Sequence, residues 1–385
     1  MSKHLTVLIA ALVVAVAAIA LTESHDRDSR TLPLSRLASV RGDAGGKTVL
    51  LLWPAGPPEF GDLPGGGPGT TVNVDDLSTG RHVVKRIPGI APGDFPVPVL
   101  SVGRWLVYNS NRGVAAIRDT QSGPPRVLGQ ATFFVPSATP DQIWLVHTKR
   151  SSGRPVSIQS ASVSAGRCGR ELALPPRAAG VIAGSAAGIL LVARSGQLEL
   201  WRPGHRPRTL AHLGGPLEGA GFASDARLVA YGSGCRIEEA TSGFPRTPVG
   251  YDACRTLNVI DVATHARLAF PAPPRTAGWV PDGFGVETAI APDDRMLAAA
   301  AVIAPARKGR TRLFVLRLAH NSKPTPVPMS IARLYARTAW SPDSAWLFYQ
   351  GPNARLRALE TATARTYPLA VRCCQYTAMV AIPSR

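Results

Sequence analysis

Residues 338–349 read TAWSPDSAWLFY. Pro342 presets the first dihedral of a tight turn, and Asp343 is placed to hydrogen-bond its own backbone two residues on. The five residues after the turn, Ala345 to Tyr349, are all apolar or aromatic. An uncharged run of that length bounded by turn formers is the pattern of a strand covered on both faces. Downstream come Gly351-Pro352-Asn353, a strand at Leu356–Leu359, a turn at Thr361-Ala362-Thr363, and a last short strand at Arg365–Pro368. The stretch is one small sheet written in line.

The same unit recurs upstream, aligned on the Leu of its second strand. Trp105-Leu106-Val107-Tyr108 follows Gly103, and Ile143-Trp144-Leu145-Val146 follows Thr139-Pro140-Asp141. Ile189-Leu190-Leu191-Val192 follows Gly188, Arg227-Leu228-Val229-Ala230 follows Ser224-Asp225, and Arg295-Met296-Leu297-Ala298 follows Pro292-Asp293-Asp294. A degenerate copy is Thr48–Leu52. From Leu106 the Leu-to-Leu spacings are 39, 46, 37, 69 and 50 residues. A four-strand unit of about 40 residues is a propeller blade, and the longer spacings mark loop insertions. One small sheet cannot bury both its faces alone; packing such sheets around an axis covers each with its neighbours. The expectation is an all-β chain, a seven-bladed β-propeller of four-stranded antiparallel blades over 45–385, preceded by one N-terminal apolar helix. Ala378–Ile382 is a candidate for the strand that closes the ring against the first blade.

Composition agrees. The 385 residues include 37 Gly and 35 Pro, close to one residue in five, yet 45% are hydrophobic. That apolar fraction excludes wholesale disorder and leaves Gly and Pro as turns. The net charge of +18 invites a nucleic-acid reading, but the Arg residues are scattered singly, with no run of five or six.

Trp340-Ser341-Pro342-Asp343-Ser344 with the aromatic strand after it resembles the PD40 repeat of TolB-like, WD40-like bacterial β-propellers. Pro292-Asp293-Asp294 and Pro140-Asp141 match in part, and the resemblance covers most of residues 45–370. The Gly usual after Pro-Asp is Ser344, Asp294 or Gln142 here. The resemblance implies a binding or scaffold role, as in many members, and no single chemistry.

Residues 5–21, LTVLIAALVVAVAAIAL, carry no charge and follow Lys3. They read as a secretory signal with the A-x-A-like site Ala18-Ile19-Ala20, or as an uncleaved single-helix membrane tether. Both place the remainder outside the cytoplasm. Residues 22–44 are a polar linker. The cysteines fit that compartment. Cys235 and Cys254 bracket one insertion and are expected to pair. Cys373-Cys374 form a vicinal disulfide or supply a partner for Cys168, and the odd count leaves one thiol free or bonded to another chain.

No nucleophile elbow, zinc-protease motif or phosphate loop is present, and no cofactor or metal is expected. Gly65–Gly69 lacks the Lys-Ser/Thr of a phosphate loop, and Asp75-Asp76 and Asp293-Asp294 lack calcium-loop spacing. Trp105, Trp144 and Trp346 occupy equivalent strand positions and read as packing. Trp279 leads into the first strand of a blade and is a binding candidate.

One pattern points to a partner. The second-to-third strand loops carry Arg112; Lys149, Arg150 and Arg154; Arg194; Arg236; Arg307, Lys308 and Arg310; and Arg355. Six of the seven have a fixed positive charge, and only Pro54–Thr70 lacks one. These loops share one face of a propeller, so the expectation is a basic face for an anionic partner, an envelope protein or an anionic polymer. The alternative is a propeller-type enzyme (lyase, lactonase or glycan hydrolase) with His and carboxylates converging at the channel mouth.

Overall fold

A computed structural model describes residues 48–383, without 55–70, 78–80, 87–98, 104, 111, 119–124, 150, 186, 213–221, 225–226, 242–247, 281–288, 306–309, 334–337, 352–354 and 370–375. The export segment 1–21, the linker 22–44 and the Cys373-Cys374 pair lie outside the described residues. Among the described residues no helix is long and apolar enough to cross a membrane.

The chain begins with β1 (Thr48–Pro54), β2 (Thr71–Asp76) and β3 (Arg81–Arg86). Three four-stranded antiparallel sheets follow in sequence order. They are β4 (Val99–Val102) to β7 (Arg126–Gly129), with β5 (Trp105–Ser110) and β6 (Gly113–Arg118) between; β8 (Phe133–Pro136), β9 (Gln142–Thr148), β10 (Pro155–Ser162) and β11 (Arg167–Ala173); and β12 (Ala178–Ser185), β13 (Gly188–Ala193), β14 (Gln197–Trp201) and β15 (Arg208–His212). Next come β16 (Phe222–Ser224), β17 (Leu228–Thr241), β18 (Pro248–Asp261), β19 (Arg267–Pro271), β20 (Thr276–Val280), β21 (Ala289–Ile290), β22 (Met296–Ile303), β23 (Arg310–Arg317), β24 (Thr325–Pro326) and β25 (Ala332–Arg333). These ten form one sheet. The last unit is β26 (Thr338–Trp340), β27 (Trp346–Gln350), β28 (Leu356–Glu360) and β29 (Thr366–Pro368), and β30 (Tyr376–Pro383) ends the described chain.

β30 returns to the start. It pairs with β1 from Thr48↔Pro383 to Pro54↔Tyr376, giving the order β3-β2-β1-β30. Ala378–Ile382 is therefore the first strand of the N-terminal sheet. First strands of successive sheets lie side by side: β8 by β12, β12 by β16, β16 by β21, β21 by β26, β26 by β30 and β30 by β4.

The apolar residues lie between the sheets. In β27 all five residues are buried. Leu347 packs with Leu313 and Ala298 of the preceding unit, while Phe348 packs on the other side with Leu77 and Met379 of the N-terminal sheet. The same split puts Leu145 and Val146, and Leu190 and Leu191, against opposite neighbours. Successive side chains on a strand point to opposite faces, so a strand covered on both sides reads as an unbroken apolar run. Each fully buried Leu or Phe contributes roughly 1.5–3 kcal/mol.

The turn at 341–344 works as its sequence predicts. Asp343 Oδ1 accepts from the Ala345 amide at 3.0 Å, and Ser341 Oγ accepts from the Trp346 amide at 2.9 Å. Ser344, where the repeat usually has Gly, adopts φ 59°, and Asp294 adopts φ 57°. The left-handed conformation is kept without the glycine that favours it.

The ten-stranded sheet departs from the expected four-stranded pattern. β16 pairs only with Val229–Tyr231 of β17, and β19 only with Thr256–Ile260 of β18. The β17–β18 hairpin continues to Thr241↔Pro248 and projects beyond both. Its base meets β20 at Cys254↔Trp279, while β20 and β21 together flank β22. That joins two units edge to edge and accounts for the 69-residue repeat spacing.

Candidate anion-binding face

The turns between second and third strands hold their cations outward by backbone bonding. At the β5–β6 turn Ser110 Oγ donates to the Gly113 carbonyl at 2.6 Å and accepts from the Arg112 amide at 3.2 Å. Gln130 Nε2 donates to the Arg112 carbonyl, and the Arg112 side chain is exposed. In the β9–β10 turn the Lys149 amide bonds the Arg154 carbonyl at 2.8 Å, the amides of Ser152 and Gly153 bond the Lys149 carbonyl, and Lys149 is exposed. In the β13–β14 turn the Gly196 amide bonds the Ala193 carbonyl at 3.0 Å, which leaves Arg194 exposed at the corner. Arg310 is exposed as the first residue of β23, and Arg355 is exposed just before β28. Exposed cations thus stand at the same end of five units, by the alternation of antiparallel strands.

Other predicted residues lie elsewhere or are already engaged. Arg154 is half-buried and donates from Nε to the Ala178 carbonyl at 3.1 Å, which ties one sheet to the next. Arg236, expected in a loop, lies within β17, because that strand runs on to Thr241. It pairs with Glu238 at 2.5 Å, two residues along the same face. Trp279 is completely buried. Its indole N–H donates to the Phe270 carbonyl at 2.9 Å, its ring meets Phe314 edge-on, and it has no solvent-facing surface to offer a ligand. Arg150, Arg307 and Lys308 lie outside the described residues.

Cys235 and Cys254 form a disulfide, and Cys168 is an exposed free thiol that donates to the Leu128 carbonyl. Burial pushes the Tyr349 phenol up to about 12, and its O–H donates to the Pro328 carbonyl at 2.7 Å. Among the described residues no group of three or more His, Cys, Asp and Glu is placed to hold a metal.

Sequence reading passed over one basic group. Arg202-Pro203-Gly204-His205-Arg206-Pro207-Arg208 joins β14 to β15, at the far end of β14 from Arg194. The signal was there: three Arg and one His within seven residues, with no acid.

No protein-family model and no curated protein matches the chain. Solved structures do. TolB from Acinetobacter baumannii is 9% identical over 90% of this chain and 69% of its own, with a TM-score of 0.47. The Pan2 WD40 domain of Neurospora crassa is 14% identical over 79% of this chain and 84% of its own, at 0.45. The computationally designed Ika8 protein is 15% identical over 81% and 85%, at 0.47. These are likenesses of architecture; the fold itself is read from the sheet order, the cores between sheets and the adjacent first strands. In architecture the chain is similar to TolB and to WD40 propeller domains.

Proposed function

We propose that this chain is an exported β-propeller of the cell envelope, a non-catalytic binding or assembly module that recruits an anionic partner through its second-to-third turns. With the ten-stranded sheet counted as two fused units, the ring has seven blades over residues 45–385. Residues 1–21 are its signal or tether and 22–44 its linker. The Cys235–Cys254 disulfide supports an oxidising compartment outside the cytoplasm.

The observation that carries the reading is the exposure of Arg112, Lys149, Arg194, Arg310 and Arg355 at one end of five units. Charges of one sign spread over a face sum to a field that concentrates and steers an anionic polymer or an acidic protein surface. Exposed pairs gain little singly, so such binding is multivalent and salt-sensitive. The test is retention on dextran sulfate and on neutral dextran across a salt series. Retention on dextran sulfate alone, lost with rising salt, is the expected result. Equal behaviour on both matrices refutes the proposal.

A further inference from the structure

We infer that the β14–β15 connection forms a binding site for a phosphate-type oxyanion, at the opposite end of its sheet from the second-to-third turns. Arg202, His205, Arg206 and Arg208, all exposed, line an open cleft of about 250 Å³ that Leu200 also borders. A bulk water occupies about 30 Å³, so the cleft has room for a phosphate group.

Local sequence builds it. Arg202-Pro203-Gly204-His205 is a turn closed by the His205 amide on the Arg202 carbonyl at 3.0 Å. Gly204 sits at φ 83°, the left-handed position that a Pro-Gly turn of this kind requires. Pro207 biases Arg206 to extended backbone. The walls are fixed from outside. Arg202 Nε donates to the Ala187 carbonyl at 2.6 Å, which anchors one edge of the guanidinium. Arg208 Nη2 meets His265 Nε2 at 2.6 Å, on the β18–β19 turn of the next unit. Arg206 makes no hydrogen bond or ion pair with a described residue.

Charge decides the ligand. Three ion pairs stand apart from this group: Arg177 with Glu199, Arg227 with Asp294, and Arg236 with Glu238. Arg202, Arg206 and Arg208 have none among the described residues. Three like charges around one cleft repel, and a multivalent oxyanion relieves that while accepting bidentate N–H bonds from the planar forks. A carboxylate brings less charge and fewer acceptor oxygens to the same space.

The experiment is calorimetric titration of the disulfide-intact protein with inorganic phosphate, alongside flotation with phosphatidic acid and with phosphatidylcholine vesicles. Arg206→Ala and Arg202→Ala are compared with wild type, and Arg170→Ala, which removes one exposed charge from β11, serves as control. Phosphate binding weakened at least about tenfold by Arg206→Ala, and unchanged by Arg170→Ala, is the expected result. If only phosphatidic acid vesicles bind, with the same mutational pattern, the oxyanion is a lipid headgroup and the site stands. Absence of binding to both phosphate sources, or binding indifferent to Arg206→Ala, overturns it. Thermal unfolding of each variant separates misfolding from site loss, and Arg206→Lys, which keeps the charge without the fork, should bind with intermediate strength. Neither failure bears on dextran sulfate retention, which belongs to the other face.

Discussion

Cys235 and Cys254 stand directly opposite each other on β17 and β18, with Cα atoms 3.8 Å apart, and are joined by a disulfide where the hairpin leaves β16 and β19 behind. Cys254 also packs with Trp279 in the core between the fused units. The bridge therefore pins the root of a projecting ribbon to a buried anchor. A sequence separation of 19 gives a loop-closure contribution of about 3 kcal/mol. Reduction, or Cys235→Ser with Cys254→Ser, should lower stability by roughly that amount in urea unfolding, whereas Cys168→Ser should leave the midpoint nearly unchanged.

Gly184 carries the indole of Trp144 against its bare Cα: a Cβ there would overlap Nε1 and Cδ1 of that ring. β12 also meets the preceding sheet here, since the Ala138 amide bonds the Gly184 carbonyl at 2.7 Å. Gly184→Ala should destabilise by about 1–3 kcal/mol through overpacking. Combined with Trp144→Ala, the two losses should sum to less than their separate values, as expected for residues in contact. Additive losses in denaturant titrations would show that the clash is not their cause.

Ring closure gives a larger effect. β30 supplies the first strand beside β1, and Met379 packs in the core with Phe348 and Leu77. Removing residues 376–385 exposes the edge of β1 and that core together. The truncated chain should lose several kcal/mol and unfold over a broader range in calorimetry; an unchanged transition would contradict closure by this strand.

Asp141 links its turn to the start of the next one. Ser162 Oγ, Ser164 Oγ and the Ser164 amide donate to its carboxylate at 2.7, 2.5 and 2.9 Å. Partial burial pushes the carboxyl up, but the bonds from Ser164 and Ser162 and the Arg126 charge outweigh it and hold it below the usual range. A depressed folded value stabilises the protein above the unfolded value near 4, and that contribution disappears as pH falls through the folded value. Asp141→Asn, which tolerates the φ of 64°, should be less stable than wild type at pH 7, with the gap closing below about pH 4.

Much of this architecture was legible because each unit announces itself. Ser341-Pro342-Asp343 marks a turn by its own chemistry, and runs such as Trp346–Tyr349 announce strands covered on both faces. The closing strand was legible for the same reason. The fused sheet was not. A 69-residue spacing reveals an insertion without its shape, and a second strand of ordinary blade length from Leu228 ends before Arg236. Cross-strand pairing and the disulfide keep that stretch extended instead. Trp279 reads as a binding candidate because it leads into the first strand of a blade; its burial depends on β18 and Phe314, remote in sequence. The Arg202–Arg208 group lies in a third-to-fourth turn, outside the second-to-third loops on which the charge pattern in the sequence rests.

The central claim is that one end of the ring is a basic recruiting surface. Its most direct measurement is the affinity of the protein for dextran sulfate when Lys149, Arg150, Lys308 and Arg310 are all changed to Glu, with the far-ultraviolet spectrum and melting curve as fold controls. The account predicts a folded variant that no longer binds at low salt, while Arg206→Ala binds the polymer as wild type does. A folded quadruple variant that still binds with wild-type affinity would contradict it.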